Sequence, residues 1–193
     1  MRTVFVDTVF IDVDTQIDFL YPAGALYVPG GERLVPAIAR LNHFAGEHGI
    51  PLISTTDAHN ENDPEFRDWP PHCVAGTTGQ LKPVETLLEA GQIIVEKQAL
   101  DVFSNPSFPA LLERLHAGRY VVYGVATEYC VLRAAMGLLR TGTPVSLVTD
   151  AIAAVKPEDG ARALDEFTAA GGTLTTMGEV TMNPHANDQV PAI

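Results

Sequence analysis

Six short apolar runs alternating with helical segments predict a three-layer α/β/α sandwich around a six-stranded parallel sheet. Three observations carry that reading. Residues 8–13, 51–55, 92–96, 120–125, 143–149 and 173–177 are rich in β-branched and aromatic residues, as strands of a sheet covered on both faces are. The segments between several of them repeat apolar residues at helical spacing, with proline at their starts and glycine beyond their ends. The chain has 193 residues at 46% hydrophobic content and no internal repeat, linker or low-complexity segment. That fits a single domain over 1–180 followed by a polar tail over 181–193.

Each element has its own local reason. The strand over 8–13 ends at Asp14, and ligands of open α/β sheets gather beyond the carboxyl ends of strands. Asp18 and Phe19 follow in a loop punctuated by Pro22-Ala-Gly24 and Pro29-Gly-Gly31. Leu34, Ile38, Leu41 and Ala45 give an amphipathic helix over 32–48 that stops at Gly49. The next strand, 51–55, delivers Asp57 and His59 to a second strand-end loop. Pro83 opens a short helix over 84–90, and Gly91 lies past its end. Lys97 stands at the end of the third strand. The loop over 99–106 offers Phe103-Ser-Asn105 to a pocket rim or a neighbouring subunit. A helix over 109–116 is expected to close with Gly118 as its left-handed residue. The fourth strand, 120–125, leads through Thr127 as N-cap into a helix over 131–139, with Cys130 in its first turn. A strand ending at Asp150, a helix over 157–170 closed by Gly171-Gly172, and a last strand over 173–177 complete the sheet.

Composition excludes some classes of partner. A formal net charge of −12 argues against nucleic acid and anionic membrane surfaces, which select basic patches. No apolar run is long enough to span a membrane, and residues 1–7 read as folded sequence rather than a signal peptide. Cys73 and Cys130 make no disulfide framework, so a reduced, cytoplasmic protein is expected.

The chemistry concentrates at strand ends. A cysteine in the first turn of a helix meets unpaired N–H groups and the positive end of the helix dipole, which favour a thiolate and can hold an oxyanion. A lone buried cysteine is more often a small hydrophobe, and a lone strand-end lysine an exposed cap. Asp14, Lys97 and Cys130 at three strand ends on one side of a sheet are a coincidence that those readings leave unexplained. The segment from Asp57 to His72 is poor in apolar residues and holds several carboxylates and two histidines. Asp57-x-His59 places both side chains on one face of an extended segment, and His72 follows fifteen residues after Asp57. One carboxylate and two imidazoles suit zinc, iron or manganese, and a merely polar surface loop fits the same spacing.

Four segments in order, Asp14-Thr-Gln-Ile-Asp-Phe19, Thr56-Asp-Ala-His59 with Trp69-Pro-Pro-His-Cys-Val-Ala-Gly76, Val95-Glu-Lys97 and Gly124-Val-Ala-Thr-Glu-Tyr-Cys130, resemble the isochorismatase-like cysteine hydrolases, within them the nicotinamidase/pyrazinamidase branch. The resemblance covers about residues 9–177 and implies the same sandwich fold. It implies Asp14 as general base, Lys97 as its electrostatic partner and Cys130 as nucleophile. Backbone N–H groups of Ala126 and Cys130 would be the oxyanion donors, with a cis peptide between Val125 and Ala126. Asp57, His59 and His72 match the branch's ligands for one divalent ion, zinc before iron or manganese. The further histidine common in this loop is missing, with Glu65 or Asp63 standing in its place. Phe19 and Trp69 would wall a slot for a flat ring, with Tyr129 beside them as a third substrate-binding residue. The implied partner is a small-molecule amide, most simply nicotinamide, and the implied assembly a homo-oligomer. Two other readings remain. One is a hydrolase of the same superfamily for another amide, carbamoyl or ureido compound, and the other a metal-binding or interaction module without turnover.

Overall fold

The computed structural model describes residues 5–182. Its sheet has six parallel strands: β1 (Val6–Val13), β2 (Leu52–Asp57), β3 (Gln92–Lys97), β4 (Ala117–Val125), β5 (Val145–Ala153) and β6 (Thr173–Thr175). They lie in the order β3-β2-β1-β4-β5-β6. The order reverses between β1 and β4, so the crevice beyond their carboxyl ends is where a doubly wound sheet binds ligands.

Strand alternation builds the two faces. Val9, Ile11 and Val13 of β1 join Tyr120 and Val122 of β4 under α3 (Ser107–Leu115), α4 (Leu132–Leu139) and α5 (Pro157–Ala169). Phe10 of β1 joins Val121 and Tyr123 of β4 under α2 (Val35–Glu47) and α6 (Met177–Met182). A one-turn helix, α1 (Ile17–Leu20), follows β1 directly. Gly124 has φ 121, and a Cβ there would overlap the Val13 carbonyl, so the absence of a side chain lets the ends of β1 and β4 close on each other.

Several local expectations are corrected. The residues over 84–90 make only a 3-10 turn, Val84–Thr86, because Leu87 is extended and the Leu88 N–H donates to Gln92 Oε1 at 2.9 Å. His116, not Gly118, is the left-handed residue that ends α3, its N–H donating to the Leu112 carbonyl at 2.9 Å. Gly118 lies in β4, where a Cβ would stand 2.8 Å from the Asp7 carbonyl. β5 runs past Asp150 to Ala153, with an irregular register against β4, and Asp150 Oδ1 accepts from the Met177 N–H at 2.8 Å.

β6 stops at Thr175, and the chain then forms α6, which includes residues 181 and 182 of the expected tail. The signal for α6 is a capping box: the Glu179 carboxylate accepts from the Thr176 N–H at 2.9 Å, and the Thr176 hydroxyl accepts from the Glu179 N–H at 3.3 Å. The remainder of the tail lies outside the described residues.

Candidate active site

Asp14, Asp57 and Lys97 stand at strand ends, and Cys130 lies in the turn that follows β4. In β2 and β3 the parallel register sets Asp57 beside Lys97. Lys97 is buried, and its Nζ lies 2.8 Å from Asp14 Oδ2, donates to Asp57 Oδ1, and stands 3.6 Å from Cys130 Sγ. One ammonium therefore serves two carboxylates and a thiol. Asp14, Lys97 and Cys130 come together here, and Asp57, expected only beside the histidines, joins them.

Asp14 has no exposure and adopts φ 49, a left-handed conformation that is uncommon for a residue other than glycine. Thr55, unnoticed in the sequence, donates from Oγ1 to Asp14 Oδ1 at 2.6 Å, while the Asp14 N–H donates to the Thr55 carbonyl at 3.1 Å. Gln16, quoted in the first motif without a role, ties the turn to β2. Its Nε2 donates to the Asp57 carbonyl at 2.8 Å, and its Oε1 accepts from the Asp57 N–H at 2.7 Å.

The turn that carries Cys130 differs from expectation. Thr127 caps nothing with its side chain; the boundary residue is Ala126, whose carbonyl accepts from the Tyr129 and Val131 N–H groups at 3.1 and 3.2 Å. Residues Thr127–Val131 thus form a wide π-helical turn before α4, a departure that recurs at functional sites. The peptide bond from Val125 to Ala126 is cis, as the resemblance implies.

Burial governs the protonation of this cluster. It pushes the Cys130 thiol well above its ordinary range, with Asp14 and Asp57 adding to the rise and Lys97 opposing it. A position in the first turn of a helix favours a thiolate, but burial of Cys130 outweighs it and favours the thiol. Burial likewise raises Asp14 against the pull of Lys97. Burial alone would lower Lys97, but Asp14, Cys130 and Asp57 together raise it, so it stays an ammonium. Asp57 is held low by Lys97 and His59 despite its burial.

Beside this cluster Asp57, His59 and His72 converge, each offering a ligand atom within 4.8 Å of the others. His59 Nε2 and His72 Nε2 lie 3.8 and 3.9 Å from Asp57 Oδ2. His72 Nδ1 faces the Pro70 carbonyl at 2.8 Å, so it must carry the proton, and Nε2 is left with a free lone pair. His59 Nε2 is buried and has no hydrogen-bond partner. An orphaned imidazole nitrogen aimed at a carboxylate and a second imidazole is a donor set that fits a divalent ion.

The two candidates for a further ligand separate cleanly. Asp63 Oδ2 sits behind His59, 3.1 Å from Nδ1, a charge contact without hydrogen-bond geometry. Glu65 Oε1 lies 3.9 Å from His72 Nε2 and lines the cavity in front.

That cavity joins Cys130 to the histidine group. Phe19, Trp69 and Tyr129 all line it, as expected, with the Phe19 ring 5.4 Å from His72 and Trp69 edge-on to Tyr129 at 5.3 Å. Leu26, Tyr27, Val28, Leu100 and Val155 add walls that carry no motif and were not anticipated. Leu100, rather than Phe103-Ser-Asn105, brings the loop after β3 to the cavity. Phe103 packs on Phe108 instead, and the Asn105 amide donates to the Glu96 carbonyl at 2.7 Å. Cys73 is inert by geometry: it is fully buried, its N–H donates to Asp18 Oδ2 at 2.7 Å, and burial drives its thiol far up.

A doubly wound parallel sheet that brings a thiol, an ammonium and a carboxylate to its switch point is a framework suited to nucleophilic chemistry. The isochorismatase domain model matches residues 8–179. The nicotinamidase of Escherichia coli (strain K12) is 29% identical over 200 residues, covering 86% of this chain and 93% of its own. The nicotinamidase/pyrazinamidase of Mycobacterium tuberculosis is 29% identical over 181 residues, covering 85% and 96%. Among solved structures, the pyrazinamidase of Pyrococcus horikoshii in complex with zinc superposes with a TM-score of 0.83 at 34% identity, over 89% of this chain and 99% of that one. The chain belongs to the isochorismatase family and is a hydrolase of that family.

Proposed function

We propose that this chain is a metal-dependent cysteine amidase that converts nicotinamide to nicotinate and ammonia. The observation that carries the reading is Lys97, held between Asp14 and Cys130 at the edge of an aromatic-walled cavity that also exposes Asp57, Glu65 and His72. Catalysis is assigned to one domain over 1–180, in the cytoplasm, where two unpaired thiols persist.

Asp57, His59 and His72 would hold the ion, zinc by analogy with the Pyrococcus relative, with Glu65 as the further oxygen donor and the Asp63 carboxylate behind His59. When bound, the ion supplies a Lewis acid that anchors the ring nitrogen of a pyridine carboxamide. Phe19, Trp69 and Tyr129 supply flat apolar surface for the ring.

The resting thiol is protonated, so the nucleophile forms as the substrate arrives. Asp14 accepts the Cys130 proton while the sulfur electron pair attacks the amide carbon. The ammonium of Lys97 offsets the negative charge at both places. Negative charge develops on the carbonyl oxygen, for which the N–H groups of Ala126 and Cys130 are the assigned donors. The carbon–nitrogen bond then breaks, Asp14 returns the proton to the leaving nitrogen, and ammonia departs. A thioester on Cys130 remains. Water gives up a proton to Asp14 as it attacks the thioester, the carbon–sulfur bond breaks, and the acid leaves with the thiol restored.

The test is ammonia release from nicotinamide by purified, metal-replete protein, with Cys130→Ala as control. Release that vanishes in Cys130→Ala supports the reading. No release by the metal-loaded parent removes nicotinamide as substrate and transfers the assignment to another amide, carbamoyl or ureido compound.

A further inference from the structure

A second buried lysine–aspartate pair lies next to the first and has no place in the chemistry above. Lys82 Nζ contacts Asp12 Oδ2 at 2.7 Å, with both side chains buried. Asp12 also accepts from Thr15 Oγ1 at 2.7 Å, Ser54 Oγ at 2.9 Å and Asn42 Nδ2 at 3.0 Å. Lys82 reaches past Asp12 to the Thr15 hydroxyl. It therefore bridges the residue two before Asp14 and the residue one after it.

That bridge spans a backbone that strict alternation would not produce. Residues two apart in a strand share a face, so Asp12 and Asp14 should point the same way. Asp12 bonds Ser54, its partner in register on β2, whereas Asp14 bonds Thr55, which pairs with Val13 and belongs to the opposite face. The left-handed conformation of Asp14 makes the switch. A strained residue persists only where its surroundings over-determine it.

The segment 80–82 supplies that constraint. The Gln80 carbonyl accepts from Gln16 Nε2 at 2.7 Å, the Leu81 carbonyl accepts from the Ile17 N–H at 2.8 Å, and Lys82 holds Thr15. The same loop carries His72 ten residues before Lys82.

We propose that Lys82 and Asp12 are positioning residues: their buried pair locks the Asp14 turn, holds the Asp14 carboxylate between Thr55 and Lys97, and thereby sets the charge around Cys130. The proposal deepens the amidase reading and rests on it for kinetics, but not for the thiol environment.

The test compares the parent with Lys82→Met and with the charge-free double variant Asp12→Asn/Lys82→Met. The rate of Cys130 alkylation by iodoacetamide is measured at neutral pH and at a temperature where each variant is folded, with fully buried Cys73 as internal reference. A displaced Asp14 alters the charge facing the thiol, so the alkylation rate should depart from the parent's by about fivefold or more in both variants. With nicotinamide as substrate, kcat should fall about tenfold or more while KM stays within about twofold. The double variant should regain thermal stability lost by Lys82→Met without regaining the parent's alkylation rate. Alkylation at the parent's rate in either folded variant overturns the proposal and leaves the pair as a structural tie only. If the parent does not turn over nicotinamide, the substrate assignment falls while the alkylation comparison still decides this one.

Discussion

Lys97 and Lys82 are both buried, both paired with an aspartate at the β1 end, and only Val13 separates their partners. Their surroundings differ in one respect that matters. Asp12 is closed in by the side chains of Thr15, Asn42, Ser54 and Lys82, and Asn42 is in turn held by the Thr86 carbonyl and the Tyr123 hydroxyl. The Lys97 cluster meets a cavity through Asp57 and Cys130, and His59 Nε2 beside Asp57 has no hydrogen-bond partner. A satisfied network rigidifies, whereas an unsatisfied one is held ready for something that is not protein. The same ion pair chemistry thus serves as scaffold on one face of β1 and as site on the other.

The largest expected effect separates the two lysines by function. Lys97→Met removes the cation shared by Asp14, Asp57 and Cys130, and kcat/KM for nicotinamide should fall by about a thousandfold or more, as with loss of a group acting on the reacting atoms. Breaking either buried pair should cost stability on the order of 3 kcal/mol, because each leaves buried carboxylate charge uncompensated. Steady-state kinetics and thermal unfolding of Lys97→Met beside Lys82→Met check this. Equal losses of kcat in the two variants would erase the distinction.

Metal removal comes next. A ligand that binds only the folded state adds RT ln(1 + [L]/Kd), so dialysis against a chelator should lower Tm, and adding back zinc should restore it. Asp57→Asn or His59→Ala should abolish that restoration while Lys82→Met keeps most of it. The readout is Tm against added zinc, with metal content measured on the same samples.

The distinction between the two pairs was only half legible in the sequence. The six strands were legible because each is rich in apolar or β-branched residues, and strand ends are where a doubly wound sheet displays chemistry. Asp14, Lys97, Cys130, Asp57, His59 and His72 could be picked out because unlike motifs converged on one edge. Lys82 could not, since it stands in a loop 70 residues from its partner Asp12, and nothing local distinguishes a buried loop lysine from a solvated one. Thr55 and Gln16 looked like ordinary strand and turn residues, because a positive φ at Asp14 is invisible until β1 and β2 are in register. The helix expected over 84–90 failed to form for a similar reason: the Gln92 side chain takes the Leu88 N–H, a contact made only once β3 is placed. The capping box at Thr176 and Glu179 is a local signal, but it overlaps the β-branched run over 173–177, whose strand pattern masks it.

The smallest effects come from removing one hydroxyl on each face. Thr55 Oγ1 donates to Asp14, and this bond works against the burial that raises the carboxylate. Thr55→Val should therefore raise Asp14 further. A general base must be ionised, so activity is lost as pH falls through the Asp14 pKa, and the acid limb of kcat/KM should move to higher pH in Thr55→Val. Ser54→Ala removes the neighbouring hydroxyl, which serves Asp12 on the other face. Asp12 keeps Thr15, Asn42 and Lys82, so that variant should lose about 1 kcal/mol of stability, with kcat within about twofold of the parent and the acid limb unmoved. Adjacent residues on one strand would then report separately on site and scaffold. A shift of the acid limb in Ser54→Ala equal to that in Thr55→Val would show that the two networks titrate as one and that the faces are not separate.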